Sequence, residues 1–197
     1  NLSQSFKNVA FINSQYNEVG WFYCSSSSTE IDRYVAYDYE DGVWIYGQLS
    51  RTAWLDQGIV NYPRATANNY VFEHEYGYND DGSPMTNVFI ESSDYDIGDG
   101  EQFSFIRRII PDIRFLSNSE AGKVNIVLKT RDFPGDTLST SSTNEIGSST
   151  QKSDTRARAR QVVLRIESDD DASGTGNNDV GWRLGATRID IVNDGRR

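Results

Sequence analysis

The sequence predicts an all-β protein, in which propeller-like antiparallel blades are followed by a β-sandwich, jelly-roll-like region. Two observations lead to this fold class. No window holds apolar residues at helical spacing over three turns. Short runs rich in Val, Ile, Tyr, Phe and Trp recur instead, and clusters of Gly, Asn, Asp and Ser separate them. The 197 residues are enough for one large domain or two small ones with a buried core.

The strand pattern continues along most of the chain. Four polar clusters are predicted to be linkers, at residues 25–29, 79–84, 138–150 and 168–179. The predicted strands are Asn8–Ile12, Glu18–Tyr23, Arg33–Tyr39, Val43–Leu49, Val71–Glu75, Thr86–Glu91, Gln102–Ile110, Val124–Thr130, Ala159–Glu167 and Gly181–Val192, the last divisible into two.

Residues 1–95 are predicted to form the propeller-like blade region. Their first four strands are spaced closely enough for an up-and-down meander. Tyr37 and Asp38 lead into an acidic glycine turn and then Trp44, an arrangement typical of kelch-type blades. In such blades the aspartate binds turn amides and the aromatic residues pack between blades, which is the role we expect for Tyr37, Trp44 and Trp21. A propeller needs at least about four blades of about 40–50 residues, so this region is an incomplete propeller.

Residues 96–197 are predicted to form the β-sandwich region. They contain long strands and wide loops, and the Tyr-Asp…Trp pattern does not return. The turn DIGDGE at 96–101 marks the predicted boundary between the two regions.

The net charge of -10 is distributed unevenly along the sequence. Residues 1–100 contain 4 Lys and Arg against 15 Asp and Glu, whereas residues 101–197 contain 15 against 14. A free-standing DNA-binding domain usually has a basic excess, which this chain lacks. We interpret the asymmetry as two regions with different surroundings, meeting near residue 95.

Neither membrane insertion nor secretion is predicted. No apolar run approaches the roughly 20 residues of a membrane span, and no signal-peptide pattern opens the chain. Cys24 has no second cysteine to pair with, which fits a reducing compartment or a particle assembled inside a cell. Because the chain begins at Asn1 and its single methionine is Met85, we interpret it as a trimmed chain or a fragment.

The sequence predicts no catalytic site, no metal site and no cofactor. His74 is the only histidine, so neither a zinc site nor a Ser-His-Asp triad is assembled around it. In the aspartate-rich segment SDYDIGDG, Gly98 stands where EF-hand spacing requires Asp or Asn. Glycosidases use two carboxylates at a set separation, but this chain has so many Asp and Glu residues that such a pair gives no specific indication of an active site. Turn formation is therefore the preferred role of the loop carboxylates, including Asp38, Glu40, Asp41, Asp80 and Asp81.

The segment RARARQVVLRI at 156–166 carries three alternating arginines. In one extended strand, Arg156, Arg158 and Arg160 would share a face with the branched aliphatic residues that follow. Three roles remain open for these arginines, namely a protein interface, a solvated face and a nucleic-acid-binding stripe. The interface is favoured because arginine is enriched at interfaces and pairs with carboxylates in bidentate fashion. We assign a subunit or domain interface role to Arg156, Arg158, Arg160, Arg165, Arg183 and Arg188.

Several segments together resemble one protein family. They include residues 11–44, GQLSRTAWLD at 47–56 and FEHEYG at 72–77. The most specific are GDGEQF…RRIIPD within 91–112 and GWRLG…DGRR within 181–197, and RARARQVVLRIES lies between them. In this order they resemble the C-terminal portion of the tail nozzle proteins of short-tailed bacteriophages (podoviruses), also called packaged-DNA stabilisation or tail hub proteins.

The resemblance implies a structural virion protein rather than an enzyme. Such nozzle subunits contain a β-propeller and form a hexameric ring below the portal and the tail adaptor proteins. The ring is the channel that retains the packaged genome and then passes double-stranded DNA without specific binding. Localisation in the virion tail after assembly in the host cytoplasm follows, with no membrane insertion by this chain. An acidic wall would let DNA slide, so the acidic turn residues are candidates for the lumen.

Two other functions remain open. The first is a glycan-binding or glycan-cleaving propeller module of a phage receptor-binding tail component, in which exposed Trp and Tyr would stack on sugars. The second is a nucleic-acid-binding module, in which these aromatic residues would stack on bases. Strand-spaced aromatics are more often core and blade-packing residues, which favours the structural role.

Overall fold

The computed structural model describes Gln4 and residues 6–85, 88–96, 101–116, 122–169 and 181–195. Its strands pair in several antiparallel sheets, and these described residues contain no α-helix, which confirms the all-β prediction. Accordingly, no helix in the described part is long and apolar enough to cross a membrane. The chain divides into two compact units, Asn1–Tyr76 and Gly77–Arg197, which we call unit 1 and unit 2.

Unit 1 begins with a four-stranded meander whose order follows the sequence. Alternation places Phe11, Phe22 and Ala36 on one buried face of this sheet. Residues 14–17 and 39–42 form short turns, whereas the longer segment 24–32 joins β2 to β3. The last turn uses Gly42 at a φ of 72°, a conformation that glycine adopts without strain. The strands are β1 (Val9–Asn13), β2 (Glu18–Tyr23), β3 (Arg33–Asp38) and β4 (Val43–Gly47).

A second, three-stranded sheet completes unit 1, and it consists of β5 (Ala53–Leu55), β6 (Arg64–Ala67) and β7 (Tyr70–Glu73). Trp54 of β5 covers the buried face of the meander, since its ring lies 5.1 Å from Phe11 and 6.0 Å from Phe22. The sequence predicted only the third of these strands. The first two are short, and the Ala and Thr residues of β6 carry too little apolar alternation to be recognised.

The described strands of unit 2 form four sheets. They are β8 (Asn79–Asp80), β9 (Ser83–Pro84), β10 (Phe89–Glu91), β11 (Tyr95–Asp96), β12 (Ser104–Ile110), β13 (Ile113–Phe115), β14 (Lys123–Arg131), β15 (Ser139–Gly147), β16 (Ser153–Ala159), β17 (Gln161–Ser168), β18 (Trp182–Leu184) and β19 (Arg188–Asn193). One sheet has the order β10-β17-β14-β15, with β11 also paired to β17, and another has the order β16-β12-β19. The pairs β8-β9 and β13-β18 form two small sheets.

The core of unit 2 is aliphatic, and both larger sheets contribute to it. Ile106 and Ile109 of β12 belong to the same buried cluster as Ile126 and Leu128 of β14 and Ile166 of β17. Burying such aliphatic side chains is the main favourable contribution to folding of this unit.

Two expectations about chain organisation differ from the structure. The Ser/Thr-rich segment 138–150, predicted to be a linker, contains the nine-residue strand β15. Among the described strands it pairs only with β14, and most of its side chains are exposed, so its polar composition suits an edge position. The structure also divides the chain after Tyr76 rather than near residue 95, because β10 and β11 pair with β17 in unit 2. The predicted linker 168–179 lies almost entirely outside the described residues.

Candidate interaction surfaces

The arginine segment forms two strands, not one. β16 ends at Ala159, the chain bends at Arg160, and β17 begins in a different sheet. Arg156 and Arg158 are exposed and Ala157 and Ala159 are buried, whereas Val162 and Ile166 of the next strand are themselves buried. The prediction that these arginines share a face with the following aliphatic residues is therefore wrong. The two-residue alternation holds only within one continuous strand, and the bend at Arg160 ends it.

Arg158 and Arg160 both lie against Phe103. The guanidinium carbon of Arg158 is 4.0 Å from the ring centre and that of Arg160 is 4.8 Å away, both within range of a cation–π contact. Arg158 also donates from Nε to Asp194 Oδ2 over 2.5 Å, and Arg160 lies 5.2 Å from the ring of Phe133. These two guanidinium groups thus hold strands and loops of unit 2 together.

Arg165 is likewise engaged within unit 2. It donates to Glu167 at 2.5 Å and to Glu91 at 3.2 Å, and its guanidinium carbon lies 3.7 Å from the ring centre of Phe89. Lys129 donates to the same Glu91 carboxylate. The hydrogen bond from Lys129, supported by Arg165, lowers the pKa of Glu91 below its ordinary value.

The other three predicted interface arginines are exposed, and they form no ion pair with any described residue. Arg156 lies on β16, and Arg188 lies on β19, opposite Ile110 of β12. Arg183 stands directly opposite Arg114 across β18 and β13, and both are exposed. Two like charges at such a position disfavour each other. Arg156, Arg183 and Arg188 are therefore the predicted interface residues whose charges are open to an acidic partner.

The charge asymmetry of the sequence does not coincide with the two units. Unit 1 carries 4 Lys and Arg against 9 Asp and Glu, and unit 2 carries 15 against 20, so each has a net charge of -5. The acidic stretch before residue 100 belongs to unit 2, where Asp94 pairs with Arg131 and Asp96 accepts a hydrogen bond from Gln161. These carboxylates compensate the basic strands beside them.

The acidic residues assigned to turns or to a lumen lie at hairpin ends. Asp38 Oδ1 accepts from the backbone N–H groups of Glu40 and Asp41 at 2.9 and 3.1 Å, so it caps the β3-β4 turn as predicted. Glu40 also accepts a hydrogen bond from Asn17. Asp80 and Asp81 lie at the β8-β9 hairpin, where Asp81 has a positive φ of 50°.

The outer face of the meander is aromatic. We call Trp21, Tyr37, Trp44 and Tyr46 the aromatic face. Antiparallel register aligns Trp21 with Tyr46 through β3, and Tyr37 lies opposite Trp44 with ring centres 4.9 Å apart. Trp21, Trp44 and Tyr46 are 40, 61 and 74% exposed, and Ile12 beside them is also exposed. The predicted blade-packing residues thus lie together on a surface that the described residues of unit 1 leave largely uncovered.

A polar cluster that the sequence analysis missed lies at the other face of the same sheet. Asn13 is 2% exposed, and its Nδ2 donates to Glu18 Oε2 at 3.2 Å and to Glu75 Oε1 at 3.1 Å. Desolvation of the carboxyl groups raises the pKa of both glutamates above the ordinary value, although Glu75 as a whole residue keeps an exposed surface. The one signal in the sequence is a polar Asn at an inward position of β1, directly after alternating apolar residues.

His74 contacts Arg51 and Trp54. Its Nε2 accepts from Arg51 Nε at 2.8 Å, and its ring lies 4.9 Å from that of Trp54. Within the described ranges, no group of three or more His, Cys, Asp or Glu residues is arranged to hold a metal ion. Comparison with known proteins identified no matching family and no similar curated protein.

Proposed function

We propose that this chain is part of a structural subunit of a short-tailed phage tail nozzle. In this proposal unit 1 contributes blades of a propeller, and unit 2 is a jelly-roll-like β-sandwich. Neighbouring subunits form a hexameric ring in the virion that contacts the tail adaptor proteins. The ring retains the genome and provides the channel through which DNA leaves.

The observation that carries the proposal is the aromatic face. A four-stranded antiparallel sheet with apolar side chains on both faces is stable when other elements cover both of them. Trp54 of the second sheet covers one face, whereas Trp44 and Tyr46 on the other remain mostly exposed. In a propeller, each four-stranded blade has neighbours on both sides, so another blade would cover the aromatic face.

The exposed arginines support a ring assembly. Ring contacts are heterologous, so a patch on one subunit meets a different patch on the next. Arg156, Arg183 and Arg188 have no acidic partner among the described residues, while the chain as a whole is acidic. Bidentate pairing with carboxylates of a neighbouring subunit would compensate both charges.

The net charge supports a channel through which DNA slides. A wall that bound phosphates tightly would hold the duplex, whereas an acidic wall repels it. Exposed turn carboxylates at Glu40, Asp41, Asp80 and Asp81 are the groups that we assign to this wall.

The decisive experiment is a cryo-electron microscopy map of the virion that contains this chain. We expect six copies around the tail channel, the aromatic face covered by another sheet, and Arg156 within ion-pair distance of a neighbour's carboxylate. A map with the chain outside the channel, or with a basic channel wall, would contradict the proposal.

A smaller experiment uses the mass of the assembled chain in solution. Arg156→Glu should weaken any self-association without changing the free energy of unfolding, because Arg156 makes no ion pair within the described residues. Arg107→Glu is the matched control, since Arg107 already pairs with Asp190 in its own unit. Equal effects of both variants on the mass distribution would argue against a specific interface at Arg156.

The same aromatic face favours one alternative, a glycan-binding module. Exposed Trp and Tyr rings on a flat sheet are able to stack on sugar rings. Titration of the chain with oligosaccharides, followed by tryptophan fluorescence, separates the two functions. A saturable change that Trp44→Ala abolishes would support glycan binding, and no change at millimolar oligosaccharide would support the nozzle.

A further inference from the structure

We propose that the larger sheet of unit 2 continues from one copy of this chain into the next, with strand β10 of one copy paired to strand β15 of its neighbour. These two strands form the opposite edges of that sheet. The inference rests on the proposed ring of subunits, and it names the strands that join neighbours in the ring.

The β10 edge carries backbone groups that bond to no described strand. One bond between this segment and β17 runs from the N–H of Ser92 to the carbonyl oxygen of Leu164, over 2.9 Å. In an antiparallel ladder only alternate residues bond to a given neighbour, so Ile90 also bonds to β17. Phe89 and Glu91 therefore direct their N–H and C=O groups away from β17, at an edge where all three residues of β10 are exposed.

The outer edge of β15 is open in the same way. When the alternation is followed from β17 through β14, Ile126 bonds to β15, where it lies opposite Asn144. Thr143 and Glu145 then direct their N–H and C=O groups away from β14. Both residues are exposed, although the chain passes into β16 of another sheet after a short turn. Each copy thus presents two open edges of one sheet.

Neither edge carries the side chains that usually prevent pairing with another chain. Natural edge strands are often protected by lysine, proline or a bulge. Residues 88–92 and 142–146 contain neither lysine nor proline, and the register shift between β14 and β15 lies beyond the second stretch. Phe89 and Ile90 are 38 and 50% exposed, so a further strand beside β10 would also cover apolar surface.

The strand directions suit a head-to-tail contact between copies. All three pairings in the row β10-β17-β14-β15 are antiparallel, so β10 and β15 run in opposite directions. A neighbour related by rotation about a ring axis keeps its orientation, and its β15 would therefore run antiparallel to β10 of the first copy. Pairing of β10 with β10 of another copy would leave both β15 edges open, whereas head-to-tail pairing covers both edges of every copy.

The charges at the two edges are complementary when Phe89 lies opposite Glu145 of the neighbour. The guanidinium carbon of Arg165 lies 3.7 Å from the centre of the Phe89 ring, so a carboxylate beside this ring would lie near a cation. Glu145 pairs with Lys123 in its own copy, and both side chains are about half exposed. The carboxylate would thus lie between a cation of its own copy and a cation of the next.

Charge and strand geometry also select this register over its neighbours. It places Glu91 opposite Thr143, whose hydroxyl group is able to donate to the carboxylate. A shift by two residues in one direction would place Glu91 opposite Glu145, and like charges directly opposite each other are unfavourable. A shift in the other direction would pair β10 with the irregular part of β15 around Ser141.

Disulfide cross-linking between copies tests the register directly. Ile90 and Asn144 of the neighbour would form a pair without hydrogen bonds, with Cα atoms about 4.5 Å apart, which is within the range of a disulfide. Ile90→Cys and Asn144→Cys are each made in a Cys24→Ser background, since Cys24 is a free thiol. Mixing the two variants in a glutathione redox buffer should give a disulfide-linked pair of chains, with twice the mass in non-reducing electrophoresis.

Ser139→Cys is the matched control for Asn144→Cys. Ser139 is exposed at the other end of β15, outside the proposed contact, and its variant should not link to Ile90→Cys. Equal linking of both variants to Ile90→Cys would overturn the proposal. So would the absence of any link at about 1 mM chain, where even an association with a millimolar Kd is populated. A disulfide dimer of Ile90→Cys alone would show that β10 pairs with β10, which also contradicts the head-to-tail contact.

A chain with both Ile90→Cys and Asn144→Cys separates this inference from the nozzle function. Head-to-tail pairing should link such chains into a ladder of increasing mass. A ladder that ends in a closed hexamer would support both the strand contact and the nozzle ring. A ladder without a closed hexamer would support the strand contact and contradict the nozzle ring. If this chain stays monomeric under the same conditions, the strand contact is wrong.

Discussion

Units 1 and 2 are both built from antiparallel strands, but they bury different kinds of side chain. The cluster of unit 1 is mainly aromatic, with Phe11 and Phe22 beneath Trp54. The core of unit 2 is aliphatic, and on its surface Arg107, Arg108 and Arg158 pair with carboxylates of the same unit. Unit 2 therefore has one covered core and a charged exterior, whereas unit 1 also presents an aromatic face.

The difference shows how one strand pattern serves two purposes. In unit 2, alternation places aliphatic residues inside and charged residues outside, so the sheets bury their apolar faces against each other within the unit. In the meander of unit 1, both faces carry apolar side chains, and the described part of unit 1 covers only one of them. An apolar face exposed in this manner is typical of an interaction surface.

Truncation of each core should have the largest effect and should act within its own unit. Phe22→Ala should destabilise unit 1 by about 3–5 kcal/mol, and Leu128→Ala should destabilise unit 2 by about 2–5 kcal/mol, since both side chains are almost fully buried. Hydrogen exchange, resolved by strand, should show faster exchange in β1–β4 for the first variant and in β14 and β17 for the second. Equal acceleration in both units from either variant would show that they do not have separate cores.

A methyl group at Gly20 should also destabilise unit 1. A Cβ there would lie 2.7 Å from the carbonyl oxygen of Val35 and closer still to the ring of Phe11, and the backbone atom cannot move aside. We expect Gly20→Ala to cost about 1–3 kcal/mol in urea unfolding. Gly147→Ala in β15 is the control, because the nearest atom is 3.8 Å away, and its effect should stay within about 0.5 kcal/mol. If Gly20→Ala left the free energy of unfolding unchanged, β2 and β3 would tolerate a larger separation than the structure shows.

Acidification should affect the two units in opposite directions. Desolvation raises the folded-state pKa of Glu18 and Glu75 above 4.5, so folded unit 1 binds protons more tightly than the unfolded chain. Its free energy of unfolding should rise as the pH falls from 7 toward about 4.5. In unit 2, the hydrogen bond from Lys129 lowers the pKa of Glu91, so its contribution is present above about 4.5 and is lost at lower pH.

Urea titrations in EDTA, followed by amide signals from each unit, measure this contrast. Glu18→Gln and Glu75→Gln should each reduce the gain in unit 1 between pH 7 and about 5. A loss of stability in unit 1 over that interval, in the unsubstituted chain, would contradict the assignment of these two glutamates.

Substitution of neighbouring arginines on β16 should give the smallest effects. Arg158→Ala removes the ion pair with Asp194 and the contact with Phe103, which are partly exposed, so we expect a loss of about 0.5–1 kcal/mol. Arg156→Ala should stay within about 0.5 kcal/mol, because no ion pair within the described residues depends on it. Thermal unfolding of the two variants side by side measures the difference. An equal or larger loss from Arg156→Ala would indicate an intramolecular role for that residue.

Some features of the molecule are determined by local sequence and were predictable. Glu18–Tyr23 is a strand with the predicted bounds, and Asp38 caps the turn between β3 and β4. Both were predictable because strand alternation and turn chemistry act over a few residues. Strand β15 was not predictable, since an exposed edge strand of Ser and Thr has the composition of a linker.

The tertiary structure alone decided which distant segments meet. Asn13 and Glu75 are 62 residues apart and share a hydrogen bond, and the bend at Arg160 moves the chain from one sheet to another. A two-residue period indicates which side chains share a face while a strand continues, but it contains no information on where the strand breaks or which strand lies beside it. Those choices depend on burial summed over many non-local contacts, so they exist only in the folded chain.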